Sequence, residues 1–261
     1  MLSALERFAP LPLQESWDNA GLQMGLTEVE ASGALLCLDV NEAVIDEAVR
    51  KGCNLVVSHH PLLFRGLKRI SDASSVERTV VKAIKNDIAI VSMHTNMDNA
   101  RGGVNWKIAE KLGLTDVVPL IPSAGGKTGD GHEEQCVGAV GLMAEGMAAD
   151  DFVLLVKKQF DVECAQCNEL LRRPIRKVAI CGGAGDFLLD EAVSLGADAF
   201  ITGEMHYHQY FGYEQKIQIC VIGHYQSEQF TTEVFRDVIE RECPGVRTEI
   251  AETVTNPIIY L

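Results

Sequence analysis

The sequence predicts an α/β fold of two related lobes arising from an internal duplication, and three observations carry that reading. Short apolar runs suited to buried strands alternate with segments of helical apolar spacing throughout. A strand–turn–helix–glycine–strand unit recurs at an offset of 144 residues: Leu36-Cys37 falls on Ile180-Cys181, Asp46-Glu47-Ala48-Val49 on Asp190-Glu191-Ala192-Val193, and Gly52 on Gly196. A second echo, at an offset of 130, sets Ile88–His94 against Gln218–His224, each followed four residues later by a carboxylate, Asp98 and Glu228. The length, 261 residues, suits two modest domains.

Ala34–Leu38 is a short apolar run expected to form a buried strand, followed by a helix over Glu42–Arg50 that Gly52 closes. Strands are expected at 54–58 and 88–93, with a helix near 76–85 between them and another over 105–112, closed by Gly113. The proline-led, glycine-rich stretch 122–131 reads as the linker, followed by a strand at 137–143 and a helix at 150–160. The apolar strand 219–222 then opens a helix near His224, whose core-facing stripe is Phe230, Val234, Phe235, Val238 and Ile239. These elements divide the chain into a first lobe, 1–122 completed by 219–261, and a second lobe, 123–218.

Composition narrows the function. Hydrophobic residues make up 47% and charged residues 23%, enough apolar material for a sizeable core. The balance of 37 acidic against 23 basic residues, net −14, argues against extended nucleic-acid binding and anionic membranes, yet leaves room for a small anionic substrate held by a cation. Charge at Glu6 and Arg7 breaks any signal-peptide pattern, and no apolar stretch approaches a membrane span. The eight cysteines are scattered, and Cys164-Ala-Gln-Cys167 reads as two ordinary thiols, so a cytoplasmic location is expected.

The chemistry concentrates where strands end. Val56-Val57-Ser58 runs into His59-His60-Pro61, and the proline stops the ladder; a bend there would turn both histidines to one side. His94 and Asp98 follow the next strand, and His224 and Glu228 follow the strand at 219–222. In open α/β sheets ligands gather at the carboxyl ends of strands. Four imidazoles with two carboxylates suit zinc, iron or manganese better than calcium, and exceed the three protein ligands usual for one catalytic zinc. The expected cofactor is two divalent metal ions per chain, in a dinuclear centre between the lobes. Asp18 or Asn19 is expected to orient a ligating histidine. The turn Gly182-Gly183-Ala184-Gly185 reads as a tight, closely packed turn, with an anion cradle as the other reading. Gly126-Lys127-Thr128 lacks the first glycine of a phosphate loop, since position 121 is Ile121. His206 and His208 read as a further site or a polar surface.

His59-His60-Pro61-Leu62, His94-Thr95-Asn96-Met97-Asp98 and Gly223-His224-Tyr225-Gln226-Ser227-Glu228 together resemble the NIF-three-like family, often labelled GTP cyclohydrolase 1 type 2. Glu15–Gly25 and Thr202-Gly203-Glu204-Met205 resemble further motifs of that family, in the same order over nearly the whole chain. The resemblance implies metal ligands His59, His60, Asp98, His224 and Glu228, with His94 left nearby; if not a ligand, His94 is placed to act as a catalytic proton shuttle. It also implies a homohexamer with metal sites facing its interior, and a metal-dependent hydrolase whose label specifies hydrolytic opening of a guanine ring. A nucleotide or phosphoester suits the same centre as a small-molecule substrate. The alternative is a non-catalytic metal-binding scaffold or regulatory interaction protein. The resemblance departs at His206-Tyr207-His208, where the family's adjacent histidine pair is split by Tyr207.

Overall fold

The computed structural model describes residues 1–122 and 136–259; most of the expected linker, with Lys127, Thr128 and His132, lies outside the described residues. In chain order the strands are β1 (Gly21–Met24), β2 (Ala34–Cys37), β3 (Leu55–Ser58), β4 (Ala89–Ser92), β5 (Thr115–Pro122), β6 (Cys136–Met147), β7 (Gln166–Cys167), β8 (Ile175–Cys181), β9 (Ala199–Thr202), β10 (Gln218–Val221) and β11 (Thr248–Ile250). The helices are α1 (Leu2–Phe8), α2 (Glu42–Lys51), α3 (Ser75–Lys85), α4 (Thr95–Asp98), α5 (Val104–Lys111), α6 (Ala149–Gln159), α7 (Leu189–Ser194), α8 (His224–Glu228) and α9 (Thr231–Glu242). They build two compact units, Met1–Met97 with Thr231–Pro257, and Asp98–Phe230 with Ile258–Leu261. Among the described residues no helix is long and apolar enough to cross a membrane.

In the first unit the sheet runs β1-β4-β3-β2-β11, parallel except for β1. Every residue of β2 and β3 is buried, as strands covered on both faces must be. Leu35, Val56 and Ile90 pack with Val44, Ile45 and Ala48 of α2 and Val80 and Ala83 of α3 in one core cluster. The alternate residues Leu36, Val57 and Val91 point to the opposite face. There the buried stripe of α9 (Val234, Phe235, Val238, Ile239) supplies apolar surface, and α9 packs on α1, β2 and β11. α2 begins where the Asn41 side chain accepts from Val44 N at 3.0 Å, and it stops at Gly52, whose φ of +65° is the left-handed cap glycine adopts freely.

The second unit's sheet runs β5-β6-β8-β9-β10-β7, with β8, β9 and β10 parallel. Its core joins Val140, Ala179, Leu189, Ala192, Phe200 and Ile219. The internal repeat is realised in register. Ala34 pairs with Leu55 and Cys37 with Ser58; 144 residues on, Val178 pairs with Ala199 and Cys181 with Thr202. Gly196 closes α7 with a φ of +69°, as Gly52 closes α2.

Two expectations are corrected. The lobe boundaries at 122 and 219 fall inside the second unit, because β5 pairs with β6 and β10 pairs with β9; only Thr231–Pro257 returns to the first. The helix expected to run on from His224 is split after Glu228. Phe230 stacks edge-on with Phe160 at 5.7 Å and takes the Lys111 ammonium over its ring at 4.1 Å, so it belongs to the second unit and not to the α9 stripe.

A buried carboxylate ties the end of the first unit down. Glu47 accepts from Glu252 N at 2.8 Å, Thr253 N at 2.9 Å and Thr253 Oγ1 at 2.6 Å, and pairs with Lys51 at 3.1 Å. Burial opposes its ionisation, but these donors outweigh it and bring the carboxyl from an ordinary value of 4.5 to about 2. A depressed folded value stabilises the native state above the unfolded value, so this contribution is whole above pH 4.5 and drains away as pH falls towards 2. The shift sets an upper bound of about 3 kcal/mol. Urea unfolding of Glu47→Gln is expected to show lower stability than wild type at pH 7, with the gap narrowing by pH 3; an unchanged gap would refute this assignment.

Candidate metal site

In the first unit, β3 stops at Ser58 and the next two residues leave the ladder. His59 N donates to Cys37 O (3.2 Å) and Leu38 O (3.1 Å), and His60 N to Leu38 O (2.9 Å), so the end of β2 holds both histidines. The buried Ser58 Oγ bonds Ser92 Oγ at 2.7 Å and donates to His60 O at 2.9 Å, fastening β3, β4 and the histidine pair together. The expected bend turns both rings to one side, with centroids 4.9 Å apart. His94, following β4, sits 5.3 Å from the His59 ring and 5.4 Å from the His60 ring. One ring nitrogen from each of the three lies within 4.8 Å of the others.

Each ring is held from behind. His59 Nδ1 meets Met93 O at 2.9 Å, His60 Nδ1 meets Asp39 Oδ1 at 2.8 Å, and His94 Nδ1 meets Asp18 Oδ1 at 2.7 Å. A carbonyl or carboxylate only accepts, so Nδ1 carries the proton in each neutral ring and Nε2 carries the lone pair. Asp18 opposes its own burial through bonds from His94 and Thr95, which bring its carboxyl down to about 2. Asp39 is likewise lowered against burial, by His60 and by Thr255, whose Oγ1 donates at 2.6 Å. Asp39 is a residue the sequence reading missed. Asn19 turns elsewhere, its Nδ2 donating to Leu63 O at 2.7 Å.

The second unit repeats the design at its own strand ends. His224 Nδ1 meets Glu204 Oε1 at 3.0 Å, and His224 Nε2 meets Glu228 Oε2 at 3.1 Å, one helical turn along α8. Glu204 stands 144 residues after His60, and His224 stands 130 after His94, so the paired units put site residues at matching strand ends. Asp98, where the chain enters this unit, is buttressed by Asn105, whose Nδ2 donates to Asp98 O at 3.2 Å while its Oδ1 accepts from Gly182 N at 3.0 Å. Burial first, then Asp98, Glu228 and Asp186, hold the Cys181 thiol well above its ordinary value, which leaves it a neutral thiol among carboxylates.

The glycine turn after β8 is a packing device. Its three glycine amides are engaged within the unit: Gly182 N by Asn105, Gly183 N by Ser227 Oγ at 2.9 Å and Gly185 N by Thr202 Oγ1 at 3.0 Å. An anion would have to displace these bonds. A Cβ on Gly183, at φ +62°, would run into the Glu228 carboxylate, so the glycine makes room for that side chain. His206 and His208 flank and enter the short turn Tyr207–Tyr210 and join no cluster of three donors among the described residues.

The donor set fits a divalent transition metal. Imidazoles presenting Nε2 and backed at Nδ1 by carboxylate or carbonyl are the arrangement that ligating histidines adopt. Such strand-end clusters on paired α/β units define a candidate metal-binding protein. The chain belongs to the Duf34/NIF3 (NGG1p interacting factor 3) family, whose model matches residues 1–257. It is 33% identical to a "GTP cyclohydrolase 1 type 2 homolog" of Clostridium perfringens, over 100% of this chain and 98% of that one. A Streptomyces coelicolor protein of the same name is 31% identical over 98% of this chain and 92% of its own. Among solved structures, a Bacillus cereus protein related to NIF3 matches with a TM-score of 0.87 and 25% identity over 99% of this chain and 97% of that one.

Two substitutions test the supports. Asp39→Ala is expected to weaken metal retention 10- to 100-fold, read by competition with a chelator, through loss of His60 orientation. Gly183→Ala is expected to cost about 1–2 kcal/mol for the left-handed backbone, seen as a lower Tm, and to reduce bound metal. Wild-type retention in both variants would show that neither contact shapes the site.

Proposed function

We propose that the protein is a metal-dependent hydrolase with a dinuclear centre, held by His59, His60, Asp98, His224 and Glu228. The observation that carries this is the common wiring of His59, His60 and His94, each tied through Nδ1 to an acceptor within its own unit and presenting Nε2, with His224 likewise tied through Nδ1 to Glu204 while its Nε2 faces Glu228. Divalent ions held there supply Lewis-acid activation of water and of the substrate's electrophilic atom. His94, backed at Nδ1 by Asp18, is the group that takes and returns a proton at Nε2. Trp17 and Phe64, both exposed, flank His94 edge-on with centroids at 6.0 and 6.3 Å. That aromatic rim favours a substrate with a planar base, a nucleotide, over a simple phosphoester, in keeping with the cyclohydrolase name borne by the relatives. The assembly that accompanies this reading is a homohexamer, and the compartment a reducing cytoplasm.

Metal analysis of the purified protein, followed by turnover on a panel of nucleotides and phosphoesters, tests the reading. Two metals per chain are expected, with nucleotide hydrolysis that Glu228→Ala abolishes and Trp17→Ala impairs through a raised KM. Stoichiometric metal without turnover on any substrate would overturn the enzyme reading in favour of a metal-binding scaffold. Fewer than one metal per chain under every loading condition would overturn the centre itself.

A further inference from the structure

Strand β7 is only two residues long and lies at the edge of its sheet, antiparallel to β10, with Cys167 directly opposite Cys220. Directly opposed residues of an antiparallel pair have Cα atoms about 4.5 or 5.5 Å apart and side chains on the same face. Both spacings lie within the reach of a disulfide. The two side chains meet, and Tyr210 stands beside them. Cys220 is buried in the sheet, whereas Cys167 is partly open at its edge. The sequence spacing Cys164-Ala165-Gln166-Cys167 invites a pairing of its two cysteines, but the fold gives Cys167 a different neighbour.

We propose that Cys167 and Cys220 are an oxidation site, at which a hydroperoxide converts the facing thiols into a reversible cross-strand disulfide. Cys167 is the attacking sulfur: the hydrogen bond from Cys220 lowers its titration against the effect of burial, with Lys157 adding to the lowering. The same bond, with burial, holds Cys220 as the protonated partner. The Cys167 thiolate attacks the peroxide oxygen; the S–O bond forms, the O–O bond breaks, and the leaving oxygen departs as water or alcohol with the thiol's proton. Cys220 sulfur then attacks the resulting sulfenic acid, S–S forms, and hydroxide leaves as water with the Cys220 proton. Two thiols are oxidised and one peroxide is reduced.

The link would act on more than two side chains. Cys164 and Gln166, just ahead of Cys167, line a cavity of about 430 Å³ together with Glu204, His206 and His224. A disulfide at Cys167 would fasten that wall covalently to β10.

The test treats the reduced, folded protein with hydrogen peroxide, blocks remaining thiols by alkylation and maps peptides without reduction. The expected product is a Cys167–Cys220 cross-linked peptide two hydrogens lighter than its parts, abolished by dithiothreitol, while the buried Cys37 stays reduced. Cys164→Ser should retain the link. Cys220→Ser should lose it and expose a sulfenic acid at Cys167 that dimedone captures. Cys167→Ser, a change at the sheet edge, should leave Cys220 reduced, and circular dichroism checks that each variant is folded. A Cys164–Cys167 link in the wild type, or a Cys220 still reduced once Cys164 is oxidised, would overturn the proposal.

Discussion

The candidate site depends on a single constraint: where parallel strands stop. A parallel ladder satisfies backbone groups only while neighbours continue in step, and in both units three adjacent strands run out together. The residues just beyond the last rungs must therefore find other partners. His59 and His60 find them at the end of β2, Gly203 and Glu204 at the Gly183 carbonyl, and Gly223 at Gly203 O. This second tier of bonds locks the backbone on which His59, His60, Glu204 and, next to Gly223, His224 are mounted. Side chains emerging from it have little freedom left, and the acceptor at each Nδ1 removes most of what remains.

Orientation here is achieved with buried acceptors, which costs desolvation. Asp18 and Asp39 stay ionised because hydrogen bonds outweigh burial. Each aspartate also takes a hydroxyl, from Thr95 and Thr255 respectively, so each is braced from a second direction. A carboxylate held in this way behaves as a fixed element of the scaffold. Ser58 and Ser92, both fully buried, have the same bracing role for the backbone.

Much of this was legible in the sequence because strand ends and histidines leave local signatures. The 144-residue repeat predicted pairings that the structure realises in register, and the proline after His60 announced the bend. What escaped was non-local. Asp39 lies between an apolar strand and the Asn41 cap, where a carboxylate looks like ordinary turn chemistry; only the fold shows His60 beside it. Asn105 sits inside a helix and looks like a surface polar residue, yet it links Asp98 to the glycine turn. Strand β5, carrying Pro119 and Pro122, reads poorly as a strand, and prolines are tolerated there because it is an edge strand. Strands β7 and β11 are too short to show a period, so the Cys167–Cys220 neighbourhood was invisible before the ladder was known.

The discontinuity of the first unit bears on how the chain comes to be folded during synthesis. Its sheet lacks β11, and Asp39 and Glu47 lack their partners in the 252–255 segment, until those residues have emerged. The second unit's strands are all contained between residues 115 and 221, so it can close earlier, while the ribosome still holds the remainder. The first unit must wait with β2, β3 and β4 made and one sheet edge unpaired. Thr255, translated long after His60, thus completes the support of that histidine through Asp39, and the orienting of His60 waits on its arrival.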